Sequence, residues 1–204
     1  MDALALARNA GLTWWRNWLA LTVLNLVWMV SWLTVVLGPP VTLAVYSYIE
    51  RLVAGDDMTP GEFVTAVTAN FAKGWLWALP VLASLAGWVV AVSFYALVGD
   101  VWARAAEVAA SLIVLAWLFV QFYALPYLFV QEQRSLRQAL RNGALTALAS
   151  PLYSVVVAIM LLVVLLLSVR FMGLTFFFTP VLTAVAGTLA VRDRLQRFGV
   201  LESA

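Results

Sequence analysis

The stretch that decides the fold is VVVAIMLLVVLLLSV, residues 155–169, which is apolar on every side. A transmembrane β-strand would instead show about ten residues of alternating polarity. In lipid, only a helix satisfies its own backbone with such a pattern. The surrounding run without charged residues, 142–169, exceeds the roughly 20 helical residues that cross a hydrocarbon core. This segment therefore predicts a transmembrane helix.

Four further runs contain no charged residue, namely 17–49, 74–99, 108–131 and 171–191. The chain is 65% hydrophobic and 11% charged, with a mean hydropathy of +0.98, whereas soluble domains are about 25% charged. These features predict an all-α, polytopic transmembrane bundle of five or six spans in one domain, 1–204, in contact with membrane lipids. The expected spans are 17–37, 41–54 (short or partial), 74–98, 108–130, 144–169 and 171–191.

The composition also argues against several classes of function. The net charge of +2 is too small to indicate nucleic-acid binding, and the chain has no cysteine or histidine for thiol, Ser-His, haem or most zinc chemistry. The long apolar runs hold no Asp, Glu, Lys or Arg, which proton relays usually need, and Walker, HExxH and GxSxG motifs are absent. We expect a non-enzymatic protein without a cofactor or metal.

Gly38-Pro39-Pro40 divides the first apolar run. As one helix, residues 17–49 would measure about 50 Å, which is more than one crossing, and two prolines stop a helix. The chain is therefore predicted to turn at Gly38–Pro40, although a broken helix with free carbonyls, as in transporter sites, is an alternative. The segment that follows, 41–54, could be a short span, a half-buried helix or an interfacial helix.

A surface helix is predicted over about 60–73. Thr59-Pro60-Gly61-Glu62 fits a capping box, with Thr59 at the N-cap and Glu62 at the third helical position. Phe63, Val67 and Phe71 then recur at helical spacing. Such an amphipathic helix is typical of the membrane surface.

Two orientations follow from the distribution of lysine and arginine, which accumulate on the cytoplasmic side. With five spans the N-terminus lies outside, whereas a sixth span at 41–54 places both termini inside. The six-span arrangement moves Arg8 and Arg16 to the cytoplasmic side, and its stronger charge bias favours it. The C-terminus is cytoplasmic in both arrangements.

Three polar side chains, Asn25, Thr42 and Gln121, fall within or beside the apolar runs. They could bond neighbouring helices to each other, which is the favoured interpretation for Asn25 and Gln121. Alternatively, they could line the polar path of a small transporter or channel. The second hypothesis predicts that the three side chains converge on one cavity.

Charged side chains cluster near the expected membrane edges. Glu50 and Arg51 could contact a partner protein or form a solvated cluster with Asp56 and Asp57. Together with Glu62, these carboxylates would suggest an enzyme if they surrounded a pocket.

Arg134, Arg137 and Arg141 form one helical stripe that suits anionic lipid or a cytoplasmic partner. Ala83, Gly87 and Ala91 are spaced four residues apart and predict a close-packed face inside the bundle.

The order of several short motifs resembles the YesL-like family of bacterial integral membrane proteins, a domain of unknown function. The resemblance covers about residues 20–75, and the Pro-Ala-Thr-Ala-like stretch typical of the family is Pro40-Val41-Thr42-Leu43-Ala44 here. It implies residence in the bacterial inner membrane and a link to ABC-type sugar uptake, with a transporter permease as a possible partner. It supplies no catalytic residue. The motifs are Asn25-Leu26-Val27-Trp28, Gly38 to Ala44, Arg51, Gly55-Asp56-Asp57, Phe63 and Asn70-Phe71.

Overall fold

The computed structural model describes residues 3–131, 133–171 and 178–199. Within these ranges the chain forms nine α-helices and no β-strand, so the prediction of an all-α chain is confirmed. The helices are α1 Ala3–Arg16, α2 Trp18–Leu33, α3 Gly38–Ala54, α4 Pro60–Ala69, α5 Phe71–Val98, α6 Val101–Val130, α7 Leu136–Ala149, α8 Pro151–Arg170 and α9 Thr179–Arg197.

Among the described residues, three helices are long and apolar enough to cross a membrane: α5, α6 and α8. Helix α2 is also apolar but has only 16 residues. Helix α6 begins at Val101, earlier than the predicted 108, because the Asp100 side chain accepts a hydrogen bond of 2.7 Å from the Ala103 backbone N–H. This N-cap allows the helix to include residues 101–107, which precede the predicted start.

The centre of the bundle is α3, which packs against α2, α4, α5, α6 and α9. Every residue from Gly38 to Ser47 is buried. The other helices therefore cover the first half of segment 41–54, and whether the segment crosses the membrane stays a prediction. Helices α3 and α5 approach each other closely at Gly74 of α5, where a Cβ would lie 2.7 Å from the backbone nitrogen of Pro40.

The turn between α2 and α3 spans residues 34–37, so the predicted turn at Gly38–Pro40 is wrong. Pro39 and Pro40 lie in the first turn of α3, where a missing N–H costs no helical hydrogen bond. Val35 has a φ of 60°, and the Val36 N–H donates to the Thr34 carbonyl at 2.6 Å. A β-branched residue in this left-handed region is strained.

The predicted span 144–169 is in fact two helices. Helix α7 ends at Ala149, and α8 begins at Pro151, whose ring fits the first turn of a helix but not its interior. Helix α7 turns back along α6. The first expected span likewise ends at Leu33 rather than at residue 37.

The predicted surface helix, 60–73, is also divided. Helix α4 ends at Ala69, and α5 starts at Phe71, because the Asn70 side chain donates to the Ala66 carbonyl at 2.8 Å and closes the first helix. The capping box at Thr59 and Glu62 is confirmed.

The two ends of the chain also form helices. Before the first predicted span lies α1, which packs against α9 and buries Trp14. The predicted last span, 171–191, corresponds to α9, which runs on to Arg197. Residues 172–177 of that predicted span lie outside the described residues.

Burial divides α5 and α6 into two parts. In α5 the buried residues are Gly74 and Ala78, and in α6 they are Ala103 and residues 121–129. We call residues 81–98 and 101–120 the outer hairpin. Ala83 and Gly87 in this hairpin are exposed, so the prediction that they pack inside the bundle is wrong. A Cβ at Gly87 would have no atom within 4 Å.

Candidate functional site

A cavity of about 430 Å³ lies between the central helices and brings together two of the three predicted polar residues. Thr42 of α3 and Gln121 of α6 both line it, and so do Trp28 and Trp77. The rest of the lining is largely apolar and comes from α3, α6, α8 and α9. The cavity therefore offers a few polar groups in an apolar surround, which is the usual composition of a small-molecule site.

The Thr42 hydroxyl is engaged within the protein. Its oxygen accepts hydrogen bonds from the indole N–H groups of Trp28, at 2.9 Å, and Trp32, at 3.2 Å. It also donates to the Gly38 carbonyl at 2.8 Å. The first turn of α3 is thus closed on itself and does not form a broken helix with free carbonyls.

Gln121 is paired in the same manner. Its side-chain oxygen accepts from the indole N–H of Trp77 at 3.0 Å, and its side-chain nitrogen donates to the Trp117 carbonyl at 3.3 Å. Tryptophan indoles therefore use the acceptor oxygens of both polar residues in the cavity. This pairing ties α2 to α3 and α5 to α6.

Asn25 does not line the cavity but lies beside it. It is fully buried, and its side-chain oxygen accepts from the backbone N–H of Val181 at 3.3 Å. Val181 is in the first turn of α9 and lines the cavity. Asn25 thus satisfies a donor at a helix start that has no side-chain cap of its own. This is a helix-to-helix contact of the expected kind.

Three of the four candidate carboxylates pair with two different arginines. Glu50, near the end of α3, pairs with Arg192 of α9 at 2.7 Å. Asp56 and Glu62 instead pair with Arg51, at 2.6 Å and 3.1 Å. Within the described residues, no group of acidic residues is arranged to hold a metal ion.

The Arg51 guanidinium closes the loop between α3 and α4. Besides its two ion pairs, it donates to the Asp57 carbonyl at 2.8 Å. Hydrogen bonds to Glu62 from the Thr59 backbone, then from the Thr59 hydroxyl and Arg51, lower the pKa of Glu62 to about 2. Arg51 therefore holds this loop in place, and the contacts of the charged cluster serve the structure of the loop.

The arginine stripe faces away from the protein, and only Arg137 and Arg141 of it lie on α7, because the helix begins at Leu136, after Arg134. Arg134, Arg137 and Arg141 are exposed, and over the described parts of the chain none of them forms an ion pair. The Arg134 guanidinium lies 5.6 Å from the centre of the Phe129 ring. The stripe remains available for an anionic surface.

One polar cluster was not predicted from the sequence. Arg194 of α9 is only 8% exposed, and its guanidinium carbon lies 3.9 Å from the centre of the Tyr153 ring. Tyr123 and Ser154, both buried, belong to the same region. The burial of Arg194 could have been predicted from the helical pattern, because Arg194 follows Val191 and Thr188 at three-residue spacing on the buried face of α9.

Comparison with known proteins does not add a relative. The chain matches no family model, and no curated protein and no solved structure is significantly similar to it.

Proposed function

We propose that the protein is a non-enzymatic, multi-pass protein of the bacterial inner membrane that acts as an accessory component of ABC-type carbohydrate uptake. The observation that carries this proposal is the internal pairing of the polar groups around the central cavity. Indole donors occupy the acceptor oxygens of Thr42 and Gln121, so little hydrogen-bonding capacity is left for a permeant solute. The resemblance of residues 20–75 to the YesL-like family supports the link to sugar uptake.

The surface supports an accessory role as well. The outer hairpin presents exposed apolar side chains such as Val90 and Ile113, which suit lipid or the helices of a permease. The arginine stripe offers positive charge for anionic lipid or for a cytoplasmic partner. Glu50 and Arg51 form ion pairs within the chain. We therefore assign the proposed contact with a partner to the arginine stripe instead.

We favour six crossings with both termini in the cytoplasm. The ends of α3 and α9 share one side of the protein, since Glu50 pairs with Arg192. Their starts share the central cavity through Thr42 and Val181. The two helices therefore run in the same direction, which is what the six-span arrangement requires.

Single-cysteine labelling tests this topology cleanly, because the chain has no native cysteine. In intact cells, a membrane-impermeant thiol reagent should label Val36→Cys in the α2–α3 turn if there are six spans. With five spans the same site is cytoplasmic and stays unlabelled. Trp102→Cys is the external control and Asp57→Cys the cytoplasmic control in both arrangements.

The accessory role is tested by affinity purification of the tagged protein from its native membrane after mild cross-linking, followed by mass spectrometry. We expect a permease or solute-binding protein in stoichiometric amount. The variant Arg137→Glu/Arg141→Glu should reduce its recovery, whereas the matched change Arg8→Glu/Arg16→Glu, away from α7, should not. Recovery of the tagged protein alone, with cross-linking verified, would contradict the proposal.

A second candidate is a small autonomous transporter, favoured by the cavity that Thr42 and Gln121 share. Proteoliposomes loaded with labelled sugars would then show flux that Gln121→Leu and Thr42→Val abolish. Asn25→Leu, which changes a residue outside the cavity lining, separates loss of a path from loss of packing. Absence of flux in the wild type would remove this candidate.

A further inference from the structure

A groove of about 380 Å³ lies between α6 and α8. All the side chains that line it are apolar, and they come from 115–122 of α6 and 155–165 of α8. Both helices are long and apolar enough to cross a membrane. Within the described residues, α8 packs against α1, α7 and α9 and makes no comparable contact with α6. The groove is therefore a gap between two helices that suit the interior of a membrane.

This groove adjoins the central cavity. Two residues of α6, Leu118 and Phe122, and two of α8, Leu161 and Leu165, line both spaces. The residues of each pair are four positions apart, so their side chains lie on one face of their helix. The boundary between groove and cavity thus consists of side chains, which change rotamer even in packed interiors. It can open without a movement of either helix backbone.

The chemistry of the cavity favours an occupant that needs no hydrogen bonds. None of the described residues that line its 430 Å³ is charged. The acceptor oxygens of Thr42 and Gln121 already take indole N–H groups. A solute rich in hydroxyl groups would lose its hydrogen bonds to water here and regain few, which costs free energy. A hydrocarbon chain has no such bonds to lose.

The size of the cavity supplies the driving force for filling it. The side chains around an empty space lose the van der Waals contacts that close packing would give them. Apolar cavities of even about 150 Å³ exclude water and bind apolar molecules. A cavity of about 430 Å³ inside the bundle therefore gains contacts when a hydrocarbon chain enters it, although the chain leaves an equally apolar bilayer.

We propose that the central cavity binds one acyl chain of a membrane phospholipid, which enters sideways through the groove between α6 and α8. The position of the groove determines the occupant, because the hydrocarbon of the bilayer surrounds helices of this length and composition. The headgroup stays outside, since the groove offers it no polar or charged partner. This inference goes beyond the proposed accessory role in sugar uptake and does not depend on it.

The test uses the full-length protein in vesicles of phosphatidylethanolamine and phosphatidylglycerol. A fraction of the phosphatidylglycerol carries a photoreactive diazirine on one acyl chain, and mass spectrometry maps the adducts after irradiation. We expect adducts at Val181 and Ala184, which line the cavity and are 0% and 1% exposed. Ile113, on the outer hairpin, is the control for surface lipid. Leu128, which is 1% exposed and outside the cavity lining, should carry no adduct.

A pair of substitutions on α8 tests the route of entry. Ala158 lines the groove, so Ala158→Phe places a ring in the path of the chain. This variant should lose the adducts at Val181 and Ala184 and keep the adduct at Ile113. Val156→Phe is the matched control, because Val156 is exposed and does not line the groove. It should give the same adducts as the wild type.

Three results would overturn the proposal. Wild-type adducts at Ile113 without any at Val181 or Ala184 would show that acyl chains stay outside the cavity. Equal labelling of Leu128 would show that the reagent reaches buried positions in general. Cavity adducts that persist in folded Ala158→Phe would show that the chain does not enter through the groove. If Ala158→Phe does not fold, the wild-type map still decides whether the cavity holds an acyl chain.

Discussion

The two parts of α6 have similar composition and opposite surroundings. In the outer part, Leu112 is 61% exposed and Ile113 69%, whereas in the inner part Leu128 is 1% exposed and Tyr123 0%. Hydropathy alone therefore does not tell a lipid-facing turn from one that faces other helices. What differs is the neighbourhood that the rest of the chain brings to each part.

The inner part is surrounded by features that permit close packing. Gly187 of α9 lies against it, where a Cβ would be 2.7 Å from the Phe122 carbonyl oxygen. The Tyr127 hydroxyl bonds to the Thr146 hydroxyl at 2.7 Å. Since lipid is as apolar as leucine, helices in a membrane associate through such packing and hydrogen bonds. The outer hairpin has few of them beyond the contact of Trp88 with Ser111 at 3.0 Å.

The largest expected difference between the two parts of α6 is the loss of stability caused by replacing a leucine with alanine in each part. Leu128→Ala should lower the free energy of unfolding in detergent by about 2 kcal/mol or more, because it leaves a cavity among packed helices. Leu112→Ala should change it by less than about 0.5 kcal/mol. Equilibrium unfolding of both variants measures this. Equal effects would show that the two parts do not differ in packing.

A glycine pair gives the next largest effect. Gly187→Ala should destabilise the protein by about 1–3 kcal/mol, because its Cβ would overlap the Phe122 carbonyl. Gly87→Ala, in open surroundings on the outer hairpin, should be neutral or slightly stabilising through its better helix propensity. Thermal unfolding of the two variants provides the comparison. Tolerance of alanine at position 187 would mean that α6 and α9 are less closely packed than described.

The smallest effect concerns the polar loop that borders the inner region. The pKa of Glu62 is lowered from 4.5 to about 2, so its stabilising contribution is present above about pH 4.5 and is lost as the pH falls toward about 2. Wild-type thermal stability should therefore fall more steeply over this interval than that of Glu62→Gln. Glu107→Gln, on the outer hairpin and outside any helix cap, should follow the wild type. Parallel profiles for all three proteins would refute this assignment.

The helical class and the capping box could be predicted because they depend on local patterns. Long apolar runs determine helices in lipid, and Thr59 and Glu62 are three residues apart in one turn. The ends of helices were harder to predict. Pro151 lies inside the predicted span 144–169 and is instead the first residue of a helix.

The candidate sites show the same limit. Sequence reasoning brought Thr42 and Gln121 to one cavity, but it did not identify their tryptophan partners, which lie on the preceding helix in each case. In the sequence, Arg194 stands between two other arginines, Arg192 and Arg197. Only the packing of α9 against α6 and α8 separates the buried Arg194 from the exposed Arg197.

The central position of α3 has a consequence for synthesis at the ribosome. Two contacts that hold α9 against the first helices join residues far apart in the chain: Asn25 with Val181, and Glu50 with Arg192. The ninth helix therefore completes the cover of the third, so α3 keeps one face open until α9 has been synthesised. A chain truncated before α9 is expected to expose that face to proteases.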